Sequence, residues 1–164
     1  MEKLEQQLNS FDYQHRKAAL KGLLKKVDSG QIKLPAFASD TNIHYHTFYS
    51  YNACGWSPTR IAWEARKLGL AVAGIVDFDV LDGLEEFLCS AELLGLKGFA
   101  GMETRVFVPE FDDREINSPG EPGISYHMGT AIPFAEVDAN VQSFKKNLKA
   151  TAQQRNRGLV ERVK

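Results

Sequence analysis

Cysteine is scarce. Cys54 and Cys89 are the only two in 164 residues, too few for a disulfide framework, and a reduced compartment is the simpler reading. Long apolar runs are missing too: no stretch approaches the length that spans a bilayer. The polar N-terminus, Met1 to Ser10, has no apolar segment of the kind a secretory signal needs. A cytoplasmic protein with no membrane partner is therefore expected. Net charge is nearly absent: −1 overall gives no general attraction to nucleic acid or anionic lipid. The neutrality is uneven, however. Residues 145–164 hold Lys145, Lys146, Lys149, Arg155, Arg157, Arg162 and Lys164 against Glu161 alone, a balance of +6 that leaves −7 on residues 1–144. An acidic body suits cation binding. The basic tail raises phosphate contact as an alternative. Few aromatics interleave its charges, and Val141, Phe144 and Leu148 are spaced for packing, so nucleic acid is not the expected partner.

What remains is ordinary for a folded protein: 43% hydrophobic and 25% charged residues, in a chain long enough for one domain with a core. Phe11, Ala18, Ala19, Leu20, Leu23, Leu24 and Val27 predict an amphipathic helix over 11–28, with Ser10 at its start and Gly30 past its end. Residues 41–46 read as a short strand. Ser57-Pro58 opens a helix whose apolar face is Ile61, Ala62, Ala65 and Leu68, closed by Gly69. Residues 71–76 form a nearly continuous apolar strand. Asp82 and Glu85 stand as cap and third residue of a further helix that Gly95 stops. Strand signals return at 97–108. A polar loop with the turn string Pro119-Gly120-Glu121-Pro122-Gly123 leads to a strand at 124–132, and a helical pattern starts at Ala135 with Val137, Val141, Phe144 and Leu148. This alternation predicts an α/β fold with largely parallel strands. Residues 1–40 read as an N-terminal helical extension and 41–164 as the α/β unit.

Of four histidines, His44, His46 and His127 fall on or near strands. His44 and His46 are two apart, so both rings leave the same face of a strand. Two converging imidazoles can bind one divalent ion, or they are simply two strand histidines satisfied by hydrogen bonds. Asp77 and Asp79 follow the apolar strand, Glu103 follows the next, and His127 lies in the one after the loop. In a parallel α/β barrel the C-terminal strand ends share one face, where such residues converge. Each also has a plainer reading: Asp79 begins a turn, Asp82 caps a helix, and His127 is a hydrogen-bonded histidine. Cys54, in a glycine-containing loop, could take His46 as its base, or be a small turn residue. Tyr49, Tyr51 and Trp56 shape the mouth of the pocket or stack on a ring-bearing substrate.

These motifs together resemble a known family. Ile43-His44-Tyr45-His46-Thr47, with Ser50 following, resembles the first motif of the PHP (polymerase and histidinol phosphatase) domain. Gly74 to Asp79 with Asp82-Gly83 resembles the second, Gly101-Met102-Glu103 the Gly-x-Glu motif, and His127-Met128-Gly129 the third-motif histidine. The match runs over about residues 41–130. The resemblance implies the first half of a distorted (β/α)7 TIM-like barrel with two or three divalent ions. His44 and His46 would hold one ion, Glu103 would bridge to a second, and His127 would help hold that second ion. It implies hydrolysis of a phosphate ester on a small molecule or nucleotide, with zinc, manganese or iron all suited to a histidine and carboxylate set.

Three positions depart from the family pattern. Phe78 stands where the second motif has a metal-binding histidine. Tyr51 and Asn52 follow Ser50, where an acidic residue or a histidine is usual. No histidine follows His127. Asp77, Asp79 or Asn52 could make up the depleted ion position or support it from behind. The alternative is a PHP-like module that keeps the fold, or a metal, without catalysis. The missing later motifs lead us to expect an incomplete domain at the C-terminus, completed by a further segment or by self-association.

Overall fold

The computed structural model describes residues 2–133 and 138–163. Ala135, Val137 and Lys164, named in the sequence reading, lie outside them. In chain order the elements are α1 (Glu2–Gln7), α2 (Tyr13–Asp28), β1 (Thr41–Tyr45), α3 (Pro58–Lys67), β2 (Val72–Phe78), α4 (Leu84–Leu93), β3 (Lys97–Phe107), a 3-10 turn (Pro109–Phe111), β4 (Ile124–Gly129) and α5 (Ala139–Val163).

The strands form one sheet in the order β1-β2-β3-β4. The first three are parallel, each joined to the next through a helix, and β4 runs antiparallel to β3. The expected largely parallel sheet is present, with β4 as its antiparallel member. A parallel connection needs a crossover, usually a helix. Residues 108–123 supply only the 3-10 turn and Gly-Pro turns, so the chain folds straight back. The sheet with its two crossover helices is compatible with half of a TIM-like barrel.

Side-chain alternation sorts the strands into two faces. Ala73 and Ile75 of β2 and Ala100 of β3 join the buried core with Ile61 and Trp63 of α3 and Phe87 and Ala91 of α4. A Cβ on Gly98 would collide with Ala91, which places α4 against the same face. The opposite face carries Phe78 of β2 and Phe99, Glu103 and Arg105 of β3. Ile43, Phe99 and Met128 on it are exposed, and α5 reaches only the part of it near Phe78, Arg105 and Tyr126.

The N-terminal helices belong to this same core: Leu8, Ala19, Leu20 and Leu23 are buried within it. Arg16 and Glu86 tie α2 to α4. Arg16 is 1% exposed and Glu86 6%. The guanidinium donates to both carboxylate oxygens in a bidentate pair, and its Nη1 donates to the Ser10 carbonyl at 2.6 Å. Glu86 also accepts from the Thr59 amide and hydroxyl, at 3.1 and 2.7 Å, which fixes the first turn of α3.

Several local expectations hold. Ser57 caps α3, accepting from the Arg60 amide at 3.0 Å, with Pro58 at the first helical position. Gly69 follows with φ +74°, and a Cβ there would lie 2.8 Å from the Ala36 carbonyl oxygen, so only glycine fits. Others are corrected. The cap of α2 is Asp12, which accepts from the Gln14 amide at 2.7 Å, while Ser10 binds the Asp12 amide instead. Phe11 lies outside the helix, exposed and stacked on Phe48. Leu68 is exposed. Asp82 makes no cap: α4 begins after Gly83 with no side-chain cap, and Asp82 pairs with Lys149 of α5. No residue of α5 is buried.

Gly101 marks where β3 and the chain leaving β4 come closest. A Cβ there would sit far inside van der Waals contact with the Gly129 carbonyl oxygen, a backbone atom that cannot move alone. Gly101→Ala is expected to push β4 away from β3 and to lower the chemical-denaturation midpoint by more than a surface substitution's ~0.5 kcal/mol. A midpoint equal to wild type would show that the strands tolerate the wider spacing.

Candidate metal centre

The His-x-His segment sits at the end of β1, where the strand departs from regular pairing. Asn42 aligns with Ala73 and Tyr45 with Ile75, so one extra residue lies between them on β1. The Asn42 carboxamide accepts from the His44 amide at 3.0 Å and staples this irregularity. Such an insertion re-aims the side chains beside it. Tyr45 turns inward to the core, and the flanking His44 and His46 leave on the other side. Their ring centroids are 5.3 Å apart.

Glu103 enters from β3. Its Oε2 lies 3.1 Å from His44 Nε2 and 3.3 Å from His46 Nε2. One ligand atom from each of the three residues falls within 4.8 Å of the others. Donors bound about 2.1 Å from a tetrahedral ion lie roughly 3.4 Å from one another, which the two contacts of Glu103 approach. The same distances also suit imidazole N–H groups donating to a carboxylate. Two further features bear on the fit. Nδ1 of His46 is buried with no hydrogen-bond partner; it lies across the ring from the Nε2 that faces Glu103, so an ion held at Nε2 would leave it to be satisfied by water. Burial also pushes the His46 imidazole below its ordinary pKa, against the opposing pull of Glu103, which favours the neutral ring that metals require. The side chains of His46 and Glu103 are 19% and 13% exposed, and that of His44 is 50% exposed. The triad is thus anchored on one side and open on the other. These residues fit a divalent ion.

The other sequence candidates are placed differently. His127 pairs with Thr104 across the antiparallel ladder, while Glu103 pairs with Met128. Alternation therefore sends His127 to the face opposite Glu103, where it is exposed; the structure does not bring it to the triad. Asp77 is buried and acts as a hydrogen-bond hub. It accepts from the Thr47 amide (2.6 Å), the Thr47 hydroxyl (2.7 Å) and the Ser50 hydroxyl (2.7 Å), fixing the loop directly after His46. Asn52 donates to the His46 carbonyl at 2.8 Å and accepts from the Cys54 and Trp56 amides. Both therefore hold His46 in place from behind. Asp79 has φ +59°, an uncommon region for a non-glycine residue. Its carboxylate accepts from the Thr104 hydroxyl at 2.6 Å and from Arg155 of α5 at 2.9 Å. Cys54 is exposed and, among the described residues, has no hydrogen bond to His46.

Phe78 takes the place at which the motif resemblance sets a histidine. Its ring stacks on His46, with centroids 4.2 Å apart and planes 23° from parallel. One flank of the triad is thus hydrocarbon. Beyond Phe78 opens a cleft of ≈ 390 Å³ between the sheet and α5. The sequence reading missed Arg105 in its basic wall, which is simply two residues past Glu103, and named Arg155 only as part of the basic tail, since the approach of α5 is not a local property of sequence.

No protein-family model matches the chain, and no curated protein matches it. The solved structures similar to it include the following two. One, from Bifidobacterium adolescentis, is provisionally assigned as a metal-dependent phosphoesterase; it is 32% identical over 45% of this chain and 24% of its own, with a TM-score of 0.39. The other is an amidohydrolase from Chromobacterium violaceum with bound sulfate and no metal; it is 22% identical over 76% of this chain and 36% of its own, with a TM-score of 0.50. The chain thus spans about a quarter and about a third of these two proteins. Among the described residues no helix is long and apolar enough to cross a membrane. The second likeness is one of fold: this chain shares part of the architecture of that larger protein.

Proposed function

We propose that the chain supplies the metal-binding half of a PHP-like hydrolase that cleaves a phosphate ester. The observation that carries this reading is the His44–His46–Glu103 triad, three ligand-type atoms gathered from two strands on an open face. The PHP-type motifs supply those residues in that order. The accompanying fold is a (β/α)7 barrel of which this sheet is the first part. The exposed apolar face with Ile43, Phe99 and Met128 then receives further strands, from another segment or a second copy.

His44, His46 and Glu103 would hold the ion, with zinc, manganese and iron all compatible with that donor set. A bound divalent ion supplies Lewis acidity, polarising a phosphoryl oxygen and acidifying water. The chain's own residues set the geometry. Asn42 aims His44 through its backbone. Asn52 holds the His46 carbonyl. Asp77 fixes Thr47 and Ser50, so that the loop after β1 cannot swing across the site. Phe78 excludes water from one side of His46.

Phe78 also favours a second reading, a metal-holding module without turnover, because it fills with hydrocarbon a position where the resemblance sets a ligand. Hydrolysis of p-nitrophenyl phosphate and its diester, measured with each metal added back after chelation, separates the two. Metal-dependent turnover that His46→Ala abolishes is the expected result. Metal binding with no hydrolysis of either ester would leave the non-catalytic reading standing.

A further inference from the structure

The geometry points to a second recognition element beside the triad: the cleft between the sheet and α5 binds an anion that carries a flat ring, an aromatic phosphate ester being the fitting class. The Phe78 ring gives the cleft an apolar wall. Tyr126 of β4 stands edge-on to Phe78, with centroids 6.2 Å apart. Tyr49 and Tyr51, both exposed, line the same cleft. At ≈ 390 Å³ the space is within the range of small-molecule sites.

The polar side is built by Arg105 and Arg155. Arg105 lies over the Tyr126 ring, with its guanidinium carbon 6.0 Å from the centroid, so one residue's cation and another's ring already share an edge of the cleft. Its Nη2 pairs with Glu121, but its Nε is buried without a partner. A guanidinium has five N–H donors and binds oxyanions through two at once. The unused Nε beside the occupied Nη2 is the other half of such a fork. The Glu121 carboxylate, which also accepts from the Ser118 hydroxyl, is 42% exposed and marks where a ligand's oxyanion would sit on Arg105 after displacing it. Arg155 reaches the cleft from α5, held by Asp79 at 2.9 Å. Asp79 is in turn fixed by its amide donating to the Glu103 carbonyl at 2.9 Å. The cation wall is therefore tied to the strand that carries the triad glutamate. The placement extends the hydrolase reading by giving the class of ester, and it rests on that reading only for the fate of the ligand.

The test is calorimetric titration of the full chain, stripped of metal with a chelator, with phenyl phosphate, inorganic phosphate and phenol. Phenyl phosphate is expected to bind about tenfold more tightly than inorganic phosphate, the scale of one good aromatic contact, and phenol not to bind measurably. Tyr126→Ala is expected to erase that tenfold preference. Tyr126→Phe keeps the ring and is expected to retain it, which separates loss of the wall from loss of fold. Arg105→Gln is expected to weaken both phosphates by a similar factor. Equal binding of phenyl phosphate and inorganic phosphate would overturn the ring site, and binding unchanged in Arg105→Gln would overturn the anion site. Because metal is absent throughout, neither failure touches the triad, and loss of metal binding in a triad variant leaves this cleft untouched.

Discussion

Glu86→Ala is expected to destabilise the fold by roughly 3–5 kcal/mol, the cost of leaving one buried partner of an ion pair without its counter-charge. Arg16 is fully buried and has no water to turn to. It keeps the Ser10 carbonyl as an acceptor, which carries no counter-charge, and the Thr59 amide and hydroxyl lose their acceptor at the same time. Whole domains have only about 5–15 kcal/mol of stability, so this one side chain governs a large part of it. With a urea slope of about 2 kcal/mol per molar, the midpoint is expected to fall by roughly 2 M. The double variant Arg16→Met with Glu86→Leu removes both charges and is expected to recover much of the loss, since a buried ion pair is often no better than a hydrophobic pair of similar volume. A Glu86→Ala midpoint within ~0.5 kcal/mol of wild type would mean that water reaches the pair and that α1 and α2 are not welded to the core as described.

The second large effect is on the metal. Glu103→Gln keeps the size of the side chain and its place on β3 but removes the anionic oxygen that lies within 3.3 Å of both imidazoles. Loss of an outer-shell partner typically costs 10–100-fold in metal affinity. Loss of a direct carboxylate ligand is therefore expected to exceed roughly 100-fold, read by competition with a chromophoric chelator. Because the substitution leaves the Asp77 and Asn52 hydrogen bonds around His46 intact, its thermal unfolding without metal is expected to match wild type. Undiminished affinity in Glu103→Gln would move the ion elsewhere or remove it from the description.

The parts of this arrangement that were legible in the sequence are those set by local periodicity. A spacing of two on a strand put His44 and His46 on one face, and Ser57-Pro58 announced α3. The apolar run before Asp77 gave β2. What escaped is non-local. Asp77 and Asn52, read as possible ligands or as support from behind, hydrogen-bond the backbone and hydroxyls of the loop after His46, and neither side chain shows in sequence which use it will have. His127 sits at the height of the site but on the other face, because antiparallel β4 pairs it with Thr104 and not with Glu103. That reversal could have been read from residues 108–123, which offer turns where a parallel crossover needs a helix. Arg16 and Glu86 are 70 residues apart, and nothing local links them. The short helix α1 carries too few turns to show a period.

The most direct test of the central claim is the metal content of the chain, purified without chelator or polyhistidine tag and measured by inductively coupled plasma mass spectrometry. Close to one zinc, manganese or iron per chain is the expected result, falling sharply in His46→Ala and in Glu103→Gln. Full occupancy retained in both variants, or a folded wild-type chain that takes up none of these metals on titration, would contradict the assignment of His44, His46 and Glu103 as a metal centre.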